Sequence, residues 1–489
     1  MRGSRRRVAA ASPVDGLARR SVGFVDVLGQ SVAALAPSAA AVTIPMLTFA
    51  IAGGASAIAV LIAALIALGV VASINVFAKR VAAAGAIYTY VSLGLGRRAS
   101  LVAGAAMLLG YGLIAIFELF TAAHFIGQAI AGPPVMSIII GVVLGAALLA
   151  VLLGGIRLST RLILLVEVAT IATLILIVIL LLTRLPAGPV DLAPDPGGLD
   201  RLVLGVVVSI AAFVGFESAA ALGVEAKRPF AAIPRALVWT VAVAGVLFLF
   251  VAVAGLIAVD ALGLDSVAGD APFDAIAQLY GARWMAVALD LMIAFSFFAA
   301  AVAATTALVR LLFSLSREGA LPAALGRTSR RTGVPTVATA TCVPLVVAPV
   351  VLRVTGMDVR GAVDTILVAA VGCFVLGYIL VCTAVVPFLR RVGELTLRSA
   401  AGAMATGLVL VAGMAGFLAI AITSEQAAGV LLLFALLAAA VVALAVLGRR
   451  AGDRGVARDV PLASEVLGGE RTLTVAGTPR DAACGSRSS

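Results

Sequence analysis

Charge is what this chain has least of. Asp, Glu, Lys and Arg make up 12% of its 489 residues while 63% are hydrophobic, and a soluble domain carries charge on about a quarter of its positions. A water-soluble globule is excluded, because too few polar side chains exist to cover its surface. Cysteine is scarce as well. Of the four copies, Cys342, Cys373 and Cys382 fall inside apolar runs and Cys484 lies in the tail, which excludes a disulfide framework or a thiolate metal site. No P-loop, HExxH, nucleophile elbow or CxxC pair occurs between the apolar runs, which argues against an ATP-driven pump or a membrane enzyme.

What is abundant is lipid-soluble sequence. Mean hydropathy is +1.19, and apolar stretches of the ~20 residues needed to cross a bilayer recur about twelve times, over 25–52, 57–78, 99–125, 135–153, 162–183, 202–224, 236–259, 285–312, 336–353, 362–388, 400–422 and 427–447. The expected fold is an all-α integral membrane protein. Segment 1–24, with Arg5-Arg6-Arg7, reads as a cytoplasmic lead rather than a signal peptide, since the apolar run after it is too long for an h-region. The tail 448–489 is rich in Gly, Arg and Asp and reads as disordered and cytoplasmic.

The net charge of +11 does not point to nucleic acid, because the basic residues are dispersed in short loops. With the N-terminus inside, only Arg184, Arg201, Arg283, Arg353 and Arg360 of the 35 Lys and Arg fall outside, leaving 30 inside. That asymmetry predicts both termini in the cytoplasm, an even number of spans and residence in the cytoplasmic membrane. The longer outer loops are 184–201, with Asp191, Asp195 and Asp200, and 260–284, with Asp260, Asp265, Asp270 and Asp274. Residues 81–95, only mildly apolar, read as an interfacial helix.

One stretch stands out against this background. Phe213-Val214-Gly215-Phe216-Glu217-Ser218 places a glycine and an acid inside a span, and irregular backbone survives in hydrocarbon only where it is buried by protein or lines a cavity. An acid beside such a break marks a functional site. The segment 209–215 also matches 31–37 at an offset of 178, with Pro37 falling where Gly215 falls. Corresponding interrupted spans in two halves of opposite topology are the sequence pattern of a transporter binding site.

Three ordered motifs carry a family resemblance. Ala83-Ala84-Gly85-Ala86-Ile87-Tyr88-Thr89-Tyr90 precedes Gly94-Leu95-Gly96; Gly215-Phe216-Glu217-Ser218 is followed by Glu225-Ala226-Lys227-Arg228-Pro229 and Ile233-Pro234-Arg235-Ala236; and Leu312-Phe313-Ser314-Leu315-Ser316-Arg317-Glu318-Gly319-Ala320-Leu321-Pro322 leads to Gly333-Val334-Pro335. In this order and spacing they resemble permeases of the amino acid-polyamine-organocation superfamily. The resemblance implies a five-plus-five inverted repeat of the leucine-transporter type, in units 25–183 and 202–388, with two peripheral helices over 400–447. It implies alternating access for an amino acid or amine, with no cofactor or metal.

In that fold the substrate lies where spans one and six unwind. A half-helix N-terminus suits a carboxylate and free carbonyls suit an ammonium. The family's Gly-Ser-Gly carboxylate segment falls here on Ala39-Ala40-Ala41, so Pro37 and Ser38 are expected to supply the break. In span six the corresponding positions are Ala211, Phe213, Val214, Gly215 and Phe216, with the carbonyls of Ala211 and Val214 expected at the ammonium and Phe213 or Phe216 as a gate. Glu217 and Glu167 are the candidates for proton coupling. Many proton-coupled relatives have a lysine in span five where this chain has Thr170, so exchange is the alternative to proton symport. Glu118, His124 and Asp290 are secondary acid–base candidates, and the Thr305-Thr306 hydroxyls are the expected ligands if sodium is used. A channel would want rings of hydroxyl, carbonyl or charge along a pore, and the sequence contains no such repeat.

Overall fold

A computed structural model describes residues 16–185, 198–262, 281, 283–352, 359–423 and 427–450. Asp191, Asp195, Asp265, Asp270, Asp274, Cys484 and the tail from 451 lie outside the described residues. Among the described residues fourteen α-helices follow in chain order: α1 Phe24–Ala33, α2 Pro37–Ala52, α3 Ser56–Ala78, α4 Ile87–Leu95, α5 Arg97–Ala129, α6 Pro134–Leu153, α7 Ile156–Leu182, α8 Leu199–Ile210, α9 Pro229–Leu262, α10 Arg283–Arg317, α11 Thr336–Leu352, α12 Val359–Val392, α13 Leu397–Thr423 and α14 Ala427–Arg450.

Among the described residues, ten helical segments are long and apolar enough to cross a membrane. One of them, Phe24–Ala78, runs for 55 residues, or roughly 80 Å at 1.5 Å per residue, against a hydrocarbon core of about 30 Å. It must cross twice, and it turns at Gly53, where φ is +55°. Adding that second crossing and the 17-residue apolar helix α11 gives twelve spans among the described residues, with α1 and α2 forming the first and α8 and the segment to Leu222 forming the sixth.

Burial orders these helices. The most apolar stretch of α10 is 61% buried and those of α13 and α14 are 17% buried, so α10 is a central column and the last two spans are peripheral. The sequence explains the column: α10 carries buried Ala299, Ala300, Ala301, Ala303 and Ala304, and small residues let helices approach closely where lipid offers no hydrophobic drive. Packed around it are α5, α7, α11 and α2.

The segment before α5 corrects one expectation. Its helix, α4, has nine residues and is too short to span, but Ile87, Tyr90 and Val91 are fully buried and the helix packs on α12 and α5. Its apolar residues are therefore covered by protein instead of facing the bilayer surface. Gly94 makes this possible, since a Cβ there would strike the Ala384 backbone of α12.

The N-terminal end of the bundle is held shut by backbone pairing. Val22 N–H donates to the Glu225 carbonyl at 3.0 Å, and Lys227 N–H donates to the Val22 carbonyl at 2.9 Å. Leu17 is buried there with Ala84, Val224 and Phe313. The start of α1 is fixed in turn by Asp26, which accepts from Gly23 N–H at 2.7 Å and pairs with Arg161 of α7 at 3.2 Å.

Candidate functional site

The first span breaks because of what precedes and what begins α2. Proline disfavours the right-handed helical region for its predecessor and suits the first helical position, where its missing N–H costs nothing. Ala36 accordingly adopts φ +44°, ψ +55°, and Pro37 opens α2. Leu35 and Ala36 N–H groups close short turns onto Val32 and Ala33 at 3.1 and 2.9 Å. The opening turn of α2 has no helical acceptors. Ala40 N–H already returns to the Ala36 carbonyl at 2.8 Å, so Ser38 and Ala39 carry the amides that face the break. Ala39 N–H meets the Ser296 hydroxyl at 3.4 Å, a weak contact. The expected amide segment 39–41 thus divides: Ala39 lies at the break, while Ala40 and Ala41 lie inside the helix.

An alanine held left-handed is strained by about 1–2 kcal/mol. Ala36→Gly is expected to raise thermal stability, by about 1 kcal/mol after the entropy glycine adds to the unfolded chain. A melting temperature at or below wild type in a thermal unfolding assay would contradict this.

The sixth span breaks at the matching place. α8 passes into a 3₁₀ turn, Ala211–Phe213; Val214 is extended, Gly215 has φ +103°, and a second 3₁₀ helix, Phe216–Leu222, follows. Ala211 accepts from Val214 N–H at 3.3 Å, and the carbonyls of Phe213 and Val214 lie beyond the last helical turn. The two breaks touch: the space a Cβ on Gly215 would need is held by the backbone carbonyl of Ala34. Only glycine satisfies both that approach and the positive φ.

Hydrogen bonds tie the halves of these spans together in layers. Outside the break, Thr48 and Ser209 hydroxyls meet at 2.9 Å. Inside it, Ser31 donates to the Phe216 carbonyl at 2.7 Å, Ser218 donates to the Gln30 carbonyl at 3.3 Å, and Gln30 Nε2 reaches Ala303 of α10 at 2.8 Å. Within span six, Glu217 is fully buried and clamped by two phenols. Tyr111 of α5 donates to Oε1 at 2.8 Å, and Tyr378 of α12 donates to Oε2 while accepting from Gly215 N–H at 3.2 Å. Behind span one, Ser38 donates to Thr170 at 2.8 Å, Thr170 donates to the Glu167 carbonyl at 3.0 Å, and Ser296 Oγ lies 3.1 and 3.2 Å from the two Glu167 carboxyl oxygens. Every side chain in that chain is buried.

The sequence candidates are thus sorted by position. Pro37, Ser38 and Ala39 open α2 at the break of span one and Val214 and Gly215 form the break of span six, with Glu217 two residues beyond Gly215 and with Glu167 and Thr170 joined to span one through Ser38. Phe216 lies near Tyr378, ring centroids 5.7 Å apart. Phe213 packs instead on Phe248 of α9 at 5.1 Å. Thr305 Oγ1 is buried without a hydrogen-bond partner, and the Thr306 carbonyl accepts from Arg310 at 3.1 Å. Glu118 is buried, whereas His124 is half-buried beside Phe125. Sequence reasoning missed Tyr111, Tyr378 and Ser296. The chain has only five tyrosines, and a tyrosine in mid-span needs a partner for its hydroxyl, which was the available signal.

Comparison with known proteins fits this geometry. A family model described as amino acid permease matches residues 28–447. The chain is 31% identical over 136 residues to the branched-chain amino acid permease BcaP of Lactococcus lactis subsp. cremoris, across 28% of this chain and 29% of that protein. It is 23% identical over 188 residues to cationic amino acid transporter 3, mitochondrial, of Arabidopsis thaliana, across 38% of this chain and 30% of that protein. The matched region therefore spans less than a third of either curated relative. Among solved structures, a mutant of the Eremococcus coleocola manganese transporter superposes with a TM-score of 0.53 at 13% identity, covering 87% of this chain and 95% of that one. That likeness is one of fold, the leucine-transporter type. The family match runs from the first span into the last, and the chain belongs to the amino acid permease family.

Proposed function

We propose that this protein is a secondary active transporter that moves an amino acid or related amine across the cytoplasmic membrane by alternating access, with both termini in the cytoplasm. The observation that carries this reading is the contact between the two breaks at Ala34 and Gly215. In this reading the amides of Ser38 and Ala39, the latter held only weakly by Ser296 at 3.4 Å, face the carbonyls of Phe213 and Val214 across the ligand. Amides at a helix N-terminus attract a carboxylate, and carbonyls accept from an ammonium, so backbone alone recognises the zwitterion common to amino acids. Pro37, Ser38, Ala39, Ala40 and Ala41 of span one and Ala211, Phe213, Val214, Gly215 and Phe216 of span six form the proposed lining. Glu217, held by spans three and ten, closes the passage below it.

Proton symport is the favoured mode, because buried acids accompany the break while the only buried arginine of α10 with a described ion pair, Arg310, is engaged with Glu225. The test is uptake of radiolabelled amino acids into proteoliposomes of the purified protein. Saturable uptake collapsed by an uncoupler supports symport; uptake indifferent to uncoupler and stimulated by internal substrate means exchange; non-saturating current overturns the transporter reading.

Tyr378→Phe tests the closing layer. It strips Glu217 of one donor and leaves the Gly215 N–H without its acceptor, each loss worth about 1–3 kcal/mol for a buried group. Maximal uptake is expected to fall at least about tenfold. Wild-type uptake in this variant would remove Tyr378 from the mechanism.

A further inference from the structure

We infer that the corner where α3, α4 and α12 end and α13 begins is a binding site for the headgroup of an anionic phospholipid. The inference goes beyond the transport reading and takes from it only the orientation that puts this corner on the cytoplasmic side. In sequence the bases concerned are scattered, as Lys79-Arg80, Arg97-Arg98 and Arg390-Arg391 with Arg398. The fold brings them to one place. Arg80, just past the end of α3, pairs with Glu394 in the elbow between α12 and α13, and its Nη1 donates to the Val76 carbonyl at 2.6 Å. Arg391 at the end of α12 donates to the Leu93 carbonyl of α4 at 2.6 Å. Behind these contacts α3 packs on α13, and α4 packs on α12.

The charge gathered here does not cancel. Segments 70–98 and 385–405 hold seven Lys and Arg and a single acid, Glu394, which Arg80 already engages. Lys79 is next to that arginine in the chain, and Arg390 and Arg398 stand four residues before and four after Glu394. All three are exposed, and among the described residues their side chains make no hydrogen bond or ion pair. Orientation in the membrane asks only that bases lie inside. It does not ask that they converge on an elbow whose one acid is spent. Guanidinium groups hold two phosphate oxygens at once and an ammonium acts as a point charge, so this set suits a phosphate. Clusters of bases directly inside a membrane span recognise anionic lipid.

Apolar residues at the same corner specify a lipid over a free anion. Val392, Leu395 and Leu397 are 45%, 37% and 87% exposed, and the most apolar stretch of α13, the helix that starts here, is only 17% buried. Leucines interleaved with exposed arginines fit the boundary between headgroups and acyl chains, where basic and apolar side chains are both satisfied. The elbow is also shaped. Gly393 turns the chain at φ +74°, and Thr396 and Ser399 cap α13 reciprocally, each backbone N–H donating to the other's hydroxyl at 3.3 and 3.2 Å. A phosphate seated among Lys79, Arg390 and Arg398 leaves its acyl chains to run along Leu395, Leu397 and the open side of α13.

The test is titration of the purified protein, in neutral detergent, with phosphatidylglycerol or phosphatidylcholine, the bound lipid being counted by native mass spectrometry. Lys79→Gln/Arg390→Gln/Arg398→Gln removes the three unpaired bases and leaves both anchoring contacts in place. Arg327→Gln/Arg330→Gln/Arg331→Gln removes the same charge from the exposed connection between α10 and α11. Each base beside an anionic surface is worth about fivefold in affinity. Wild type is therefore expected to prefer phosphatidylglycerol by at least about tenfold, the corner variant to lose that preference and the loop variant to keep it. Wild type alone supplies a second check, because raising sodium chloride from about 0.1 M to about 0.5 M should weaken phosphatidylglycerol binding severalfold. A preference retained in the corner variant, an equal loss in both variants, or binding indifferent to salt would overturn the site. Inorganic phosphate that displaces phosphatidylglycerol at equal concentration would overturn the lipid assignment. None of these readouts involves uptake, so failure here leaves the transport reading standing.

Discussion

Arg310→Met is expected to destabilise the protein by about 3–5 kcal/mol, the cost of leaving a buried carboxylate without its counter-charge. Arg310 Nε lies 2.6 Å from Glu225 Oε2 and Nη2 lies 3.0 Å from Oε1, a two-pronged pair, while Nη1 donates to the Thr306 carbonyl at 3.1 Å. The side chains are 5% and 2% exposed. Water cannot take over the carboxylate once the guanidinium is gone. Glu225 also holds the turn that pairs with Val22, so the N-terminal closure of the bundle should loosen with it. The double variant Arg310→Met/Glu225→Gln removes the stranded charge and is expected to regain most of the loss. Arg80→Met supplies the comparison, because Arg80 and Glu394 also pair but are 32% and 57% exposed, and exposed pairs contribute about 0–1 kcal/mol. Thermal unfolding of the four proteins decides the matter. An Arg310→Met loss no greater than that of Arg80→Met, or a double variant no better than the single, would show that the pair does not secure this end of the bundle.

Much of the architecture is written in the sequence because lipid imposes so few options. Length and hydropathy are enough to find spans when backbone must be satisfied within the helix, and the helix bounds fall within a few residues of the apolar runs. The break in span six was legible from Gly215, since glycine inside a membrane helix next to an acid has few other uses. Span one was harder. Pro37 marked the break, but proline sits at the start of the new helix and its steric effect falls on Ala36, so the amides without a helical acceptor lie at Ser38 and Ala39, nearer the break than the segment 39–41. Partners across the bundle were not legible. Glu217 was visible as a buried acid, but that Tyr111 and Tyr378 reach its two oxygens from spans three and ten depends on helix rotation, which periodicity does not fix in helices apolar on nearly every face. The same rotation sends Phe213 to α9 and Phe216 toward Tyr378. For α4, local hydropathy described a surface helix; burial there is decided by Gly94 and the neighbouring span it allows close.

Gly215→Ala is expected to abolish transport even where the protein still folds. Three requirements converge on this residue. Its φ of +103° costs an L-residue about 1–2 kcal/mol. Its N–H is held by Tyr378 at 3.2 Å, so the backbone cannot turn to relieve that strain without breaking the Glu217 clamp. The added methyl would occupy the position of the Ala34 carbonyl oxygen, which is backbone and moves only if the end of α1 moves. Overpacking of this kind costs about 1–3 kcal/mol, and here relief comes by separating the two breaks. Separation is what the proposed site cannot survive, because the amides of Ser38 and Ala39 and the carbonyls of Phe213 and Val214 face one ligand only while Ala34 and Gly215 touch. The variant should therefore lose saturable uptake by more than its loss of stability explains. Ala36→Gly, a change in the same break that relieves strain instead of adding it, should retain folding and sets the scale for comparison. Uptake by Gly215→Ala that tracks its melting temperature alone, with substrate affinity unchanged, would mean that contact between the breaks supports the fold and does not organise the site.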